Sequence, residues 1–209
     1  MSHRVFLLSP ASSAGKRCQQ LVARGANFEL ALRMRDGGAP IGDVFSFLSS
    51  LYFRGKLTYS QRFAAPPDGC PGVLVITAGR GLVSPETPIT IRDVRAFSRI
   101  SIDTEDRRYV EPLRDDAHGL RKQLPPDTEI VLLGSIATPK YVEVLGEIFG
   151  RSLSFPGDFV GRGDMSRGGL LLRAARDGVE LAYRPIDGAE RRGRRPAKLP
   201  ALAHRRAQA

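Results

Sequence analysis

The chain of 209 residues predicts an α/β fold, three-layered, with a mostly parallel sheet and helices on both faces. Two observations carry that expectation. Short apolar runs centred near Val5, Val75, Val131 and Leu153 read as buried strands. Segments of helical pattern lie between them, so successive strands are joined by crossovers, which lay strands parallel and cover the sheet with helices. Length adds a third: the chain fits one domain with a full hydrophobic core.

Taken in order, Arg4–Leu8 is a short buried strand closed by Ser9-Pro10, because proline cannot continue a ladder. Lys16 opens a helix through about Arg24, with Gly25 as a stop, and a second helical pattern spans Asn27 to Arg35. From Ile41 to Phe53, Val44, Phe45, Leu48, Leu51 and Tyr52 recur at steps of three and four, the stripe of a helix face. Arg54-Gly55-Lys56 then separates it from a shorter helical piece ending at Phe63. Gly72–Thr77 is the clearest buried strand, followed by a turn at Ala78 to Leu82 and a loop at Pro85 to Pro88. Asp106 to Leu124 is helical until Pro125-Pro126. Glu129–Leu133 is a further strand, and Thr138 with Pro139 marks a helix start that runs to Phe149. Ser152–Phe155 is a strand, a helix begins near Ser166, and Glu180–Pro185 is a last strand at the sheet edge.

Composition narrows the function classes. No apolar run is long enough to span a membrane, and Val5–Leu8 is too short for a signal peptide, so a cytoplasmic protein is expected. Cys18 and Cys70 read as free thiols, and His3, His118 and His204 lie too far apart for a zinc site; no metal or cofactor is expected. The net charge is +10, and the segment 188–209 holds seven of the basic residues against one acidic residue. We therefore divide the chain into a domain at 1–187 and a basic tail at 188–209 that lacks the apolar surface to fold alone. Arg191, Arg192, Arg194 and Arg195 are its candidate nucleic-acid contacts, through phosphate.

Ligands of open parallel sheets bind beyond the carboxyl ends of the strands. That rule selects four loops. The first carries Ser9, Ser12, Ser13, Gly15, Lys16 and Arg17, and the second Thr77, Gly79, Arg80 and Gly81. The third carries Gly134, Ser135, Thr138 and Lys140, and the fourth Asp158, Arg162, Asp164, Ser166 and Arg167. Helix N-termini, hydroxyls and guanidinium groups all favour an anion, so the expected ligand bears phosphate, as a nucleotide or nucleic acid. The first loop lacks the G-x-x-x-x-G-K-[ST] spacing, and Gly79-Arg80-Gly81 lacks the length of G-x-G-x-x-G. An ATPase P-loop and a dinucleotide fingerprint are thereby set aside. The binding candidates are Ser9, Lys16, Arg17, Arg80, Gly134, Ser135, Thr138, Lys140, Arg162 and Arg167. Asp158 and Asp164 are the catalytic candidates: either could position a water, and either could simply pair with Arg162 or Arg167. The segment Tyr52 to Tyr59 mixes aromatics with cations. It reads either as a base-stacking surface or as a helix end with Phe53 and Leu57 inside and its charges outside.

The opening Val5 to Ala11, with its Ser-Pro-Ala turn, resembles the first strand of the YaaA-like group of bacterial proteins. Gly81-Leu82-Val83-Ser84-Pro85, the strand Val131-Leu132-Leu133-Gly134-Ser135, and Tyr141 with Leu145 resemble that group in order. The resemblance covers part of the chain and omits the loop from Phe155 to Gly169. It implies an association with stress responses and DNA binding, and no assigned reaction. Three functions are weighed on these grounds. They are binding of a phosphate-bearing ligand at the strand ends, an enzyme acting on a nucleotide, nucleoside or nucleobase as an N-glycosidic hydrolase or transferase, and a non-catalytic structural or partner-binding protein.

Overall fold

A computed structural model of the protein describes residues 3–197 and Leu199. At its centre lies β1 (Arg4–Leu8), whose Val5, Phe6, Leu7 and Leu8 are fully buried. A strand covered on both faces has no wet side, which is why this run is continuously apolar rather than alternating. Two strands flank it in parallel: β3 (Val73–Ile76) pairs Leu7 with Leu74, and β6 (Glu129–Leu133) pairs Phe6 with Val131. Beyond β6, β7 (Leu153–Pro156) is also parallel. Antiparallel strands close the edges: β4 (Leu82–Val83) beside β3, and β8 (Tyr183–Pro185) beside β7. The order is β4-β3-β1-β6-β7-β8. A separate two-residue ribbon pairs β2 (Ala39–Pro40) with β5 (Pro88–Ile89).

The helices are the crossovers. Between β1 and β3 come α1 (Lys16–Val22), α2 (Glu29–Arg35), α3 (Ile41–Ser49) and α4 (Leu51–Phe63). Between β4 and β6 come α5 (Ile91–Phe97) and α6 (Arg107–Gln123). α7 (Pro139–Phe149) joins β6 to β7, and α8 (Asp164–Asp177) joins β7 to β8. The connection from β1 to β3 moves one way along the sheet, and those from β3 to β6 and β6 to β7 move the other. Right-handed crossovers running in opposite senses cover opposite faces. Accordingly α6 packs on α7 on one face, and α4 packs on α8 on the other.

Three local details differ from the sequence reading. The break expected at Arg54-Gly55-Lys56 falls at Ser50, which takes a positive φ of 54°, and α4 runs unbroken through those three residues. α5 was not expected. Its signal was Thr90 followed three residues later by Asp93, whose carboxylate accepts from the Thr90 backbone N–H at 2.8 Å to form a capping box. Leu82, the last residue of the expected turn, pairs together with Val83 as edge strand β4 instead. The chain from Gly188 to Ala197 returns to the domain, where the Arg194 carbonyl lies against Gly161 and Ala189 packs on the core. Residue 198 and residues 200–209 of the basic segment lie outside the described residues.

Gly55 of α4 and Gly168 of α8 lie where the two helices cross. A Cβ on Gly55 would stand 2.7 Å from the Gly168 carbonyl oxygen, and one on Gly168 would stand 2.7 Å from the Leu51 oxygen. No side chain fits between the two backbones. Gly168→Ala is expected to destabilise the protein by about 2 kcal/mol, since the obstruction is backbone and cannot turn aside. Gly119→Ala in α6, where nothing lies within 4 Å, should stabilise by up to about 1 kcal/mol. Urea denaturation midpoints of the two variants measure the contrast.

Candidate functional site

β1 leads toward β3 on one side, and β6 leads toward β7 on the other. The loops leaving these two neighbours diverge, and divergence of that kind opens a crevice at the carboxyl ends of the strands. The crevice is present as a cavity of about 450 Å³. Ser9 at the exit of β1 and Ser135 at the exit of β6 form its inner wall. The two exits are close, since a side chain on Gly134 would meet the Ser9 Cβ at 3.1 Å. Ser12 and Ser13 add hydroxyls to the lining; Phe45, Phe97, Ile100 and Ile102 add apolar surface; Lys140, Tyr141, Tyr52 and Asp164 are also on the wall.

Beneath Ser9 lies a lysine. Lys56, on the buried face of α4, is 1% exposed. Its ammonium group donates to the Ser9 carbonyl, and to the Ser9 hydroxyl at 2.8 Å. The same nitrogen sits over the rings of Tyr52 at 4.5 Å and Phe53 at 4.9 Å, where the π-faces offset part of its lost hydration. The Ser9 hydroxyl donates onward to the Leu133 carbonyl at 3.2 Å. Burial pulls the Lys56 amine down to about 7; the field of Asp164 opposes that shift and Arg167 adds to it. Tyr52 is pushed above the ordinary phenol range, chiefly by burial. Its hydroxyl is fully enclosed beside the Arg167 guanidinium, whose charge and hydrogen bonding oppose the shift that burial causes. Tyr141 is likewise raised by burial, with Tyr52 and Asp164 adding to the effect.

The expected binding residues divide. Ser9, Ser135 and Lys140 line the cavity, as does Asp164 among the catalytic candidates. Gly134 stands behind Ser9 and Thr138 precedes α7; neither lines the wall. Thr138 makes no side-chain cap on α7, so the first-turn N–H groups of Lys140 and Tyr141 have no partner within the helix. The other cations are held elsewhere. Arg17 donates to the Phe47 carbonyl at 3.0 Å, and Lys16 is exposed at the start of α1, away from the cavity wall. Arg80 pairs with Asp93. Arg162 donates to the Asp158 carbonyl at 2.9 Å and to the Ser166 hydroxyl at 3.3 Å, fastening its own loop. Arg167 is buried and grips the Phe159 carbonyl with two donors at 3.2 and 3.1 Å. Asp158, in the single 3₁₀ turn of Gly157–Phe159, is exposed and outside the cavity wall. Arg191, Arg192, Arg194 and Arg195 are exposed; Arg191 borders a second depression of about 580 Å³ beside Arg151.

Neither reading of the Tyr52 to Tyr59 segment, a base-stacking surface or a helix end with its charges outside, anticipates a buried Lys56. The α4 stripe held the signal: Tyr52, Phe53, Lys56 and Tyr59 all fall on its buried face, so Lys56 shares the periodicity of the core. Among the described residues no cluster of three or more His, Cys, Asp or Glu side chains is placed to hold a metal, and no helix is long and apolar enough to cross a membrane. No protein-family model, curated protein or solved structure matches the chain.

The buried amine has a measurable consequence. Its pKa falls on folding, so between about pH 7 and the ordinary lysine value the unfolded chain binds the extra proton. Stability therefore rises with pH in that window. Relative to Lys56→Met, which lacks the group, the wild-type protein should gain about 3 kcal/mol between pH 7 and pH 9.5. Urea denaturation of both proteins across that range measures the difference, and parallel curves would place the Lys56 amine in water.

Proposed function

We propose that the protein binds a single phosphate-bearing small molecule of nucleotide size in the cavity between the ends of β1 and β6. One observation carries the reading: hydroxyl, lysine and apolar side chains together line a cavity of about 450 Å³ at the point where the strand connections diverge. Cavities of about 300–1,000 Å³ suit small ligands, and a few convergent polar groups orient them. The apolar side formed by Phe45, Phe97, Ile100 and Ile102 suits a planar ring system. Ser12, Ser135, Lys140 and the open first turn of α7 suit an anionic group. The volume favours one nucleotide over a nucleic-acid strand. The resemblance to the YaaA-like group is compatible with this ligand class and supplies no residue roles.

Isothermal titration with a panel of nucleoside monophosphates, and of their nucleosides, tests the reading. At least one phosphate-bearing member should bind, and its nucleoside should bind at least tenfold more weakly. Lys140→Ala should reduce affinity by about tenfold, the worth of one charge-assisted contact. Arg80→Ala, whose side chain pairs with Asp93 outside the cavity wall, should leave it unchanged. Absence of heat across the whole panel would refute the proposal.

A further inference from the structure

A buried lysine in hydrogen-bond contact with a serine that lines a cavity is more than a structural brace. We propose that Ser9 and Lys56 form a nucleophile–base pair, in which the Ser9 hydroxyl attacks the carbonyl carbon of an ester carried by the ligand and the Lys56 amine takes its proton. The inference rests on the cavity being the ligand site proposed above.

The geometry supplies each part. Lys56 Nζ is 2.8 Å from Ser9 Oγ, within proton-transfer reach, and Ser9 is on the cavity wall. Among the described residues no carboxylate is at ion-pair distance from the amine; its hydrogen-bond acceptors there are the two oxygens of Ser9. A lysine that only neutralised a buried acid would sit on that acid. The charged and titratable groups around it are Asp164 and Arg167 from α8 and Tyr52 on its own helix. Burial dominates among them and lets the amine exist neutral near physiological pH. Once neutral, Nζ offers its lone pair to the Ser9 hydroxyl, which leaves its contact with the Leu133 carbonyl. Charge developing on the carbonyl oxygen calls for donors, and the Ser135 hydroxyl and the first-turn N–H groups of α7 border the same cavity. A carbonyl suits these neutral donors better than a phosphoryl centre, whose transfer calls for several cations around it. Here Arg80 is paired with Asp93, and Arg162 and Arg167 are tied to backbone carbonyls.

The step balances without a further reactant. The Ser9 Oγ–carbon bond forms, the proton moves from Oγ to Nζ, and the carbon–oxygen bond to the alcohol breaks as Nζ returns the proton to the departing oxygen. The acyl-Ser9 ester is then cleaved by water, whose proton passes to Lys56 and on to Ser9 Oγ.

The full chain treated with an alkyl fluorophosphonate tests the pair, since a Ser–O–P bond forms as fluoride leaves. One equivalent should add, and peptide mass spectrometry should place it on Ser9. The labelling rate should rise about tenfold from pH 6 to pH 8 and then level off, because protonated Lys56 cannot accept the proton. Ser9→Ala should abolish labelling. Lys56→Met should slow it about 100-fold or more. Lys56→Arg, which keeps the charge but offers no base, should be no faster, and circular dichroism should show both variants folded. p-Nitrophenyl acetate should be hydrolysed in a Ser9-dependent manner. No adduct on the wild-type protein, an adduct that survives Ser9→Ala, or a rate indifferent to pH overturns the pair. Nucleotide binding without an adduct leaves the cavity reading standing and removes only the pair; loss of both removes both.

Discussion

The crossing of α4 and α8 at Gly55 and Gly168 is the contact on which the site depends. Backbone meets backbone there, and the two helices can slide no closer. Tyr52 and Lys56 lie within a turn of Gly55, and Asp164 and Arg167 within about a turn of Gly168. The close approach brings these four side chains together over the end of β1, and without it Lys56 would not be sealed from water. A stability determinant and an electrostatic one thus occupy the same few residues. Arg167 links them, since it is anchored on the Phe159 carbonyl and lies within 5.4 Å of the Phe159 ring, while its charge adds to the shift of Lys56.

The energetic logic of the site follows from that enclosure. A buried ammonium is costly unless it is paired, and Lys56 is offered two oxygens of one serine and two ring faces rather than a carboxylate. Losing the proton relieves the cost, and the pKa falls accordingly. Cavities that gather perturbed titratable groups are where function concentrates. Here such groups arrive from α4 and α7, with serines from the exits of β1 and β6. The expectation of an arginine-lined anion trap gives way to a wall of hydroxyls with Lys140 at its side. The arginines, which three of the four loops carry, are used to fasten the chain, through Asp93, Phe47, Phe159 and Asp158. Arginine has five donors and finds carbonyls easily, so a loop rich in arginine and glycine can be self-tying as readily as ligand-binding.

Much of this fold was legible in the chain. The strands at Val5, Val75, Val131 and Leu153 announced themselves because burial on both faces leaves only apolar choices, and Thr138-Pro139 marked the start of α7 because capping chemistry is local. Ser9, Ser135, Lys140 and Asp164, selected from the sequence as lying beyond strand ends, line one cavity. What stayed hidden was orientation. Gly55 reads as a helix breaker in sequence and is a helix-crossing point in space. Lys56 reads as part of a base-stacking surface or as a charge outside a helix end, although its position on the α4 stripe matches the core.

Local patterning by itself determined the layered α/β architecture and the end of the sheet at which the cavity lies. Those depend on burial periodicity and chain direction, which are written residue by residue. Only tertiary packing decided that Lys56 faces Ser9, that the Tyr52 hydroxyl is enclosed beside Arg167, and that Arg80, Arg162 and Arg167 are spent on loop closure. Such pairings join residues up to scores of positions apart. Their strength comes from removing water, which no short stretch of sequence can do alone.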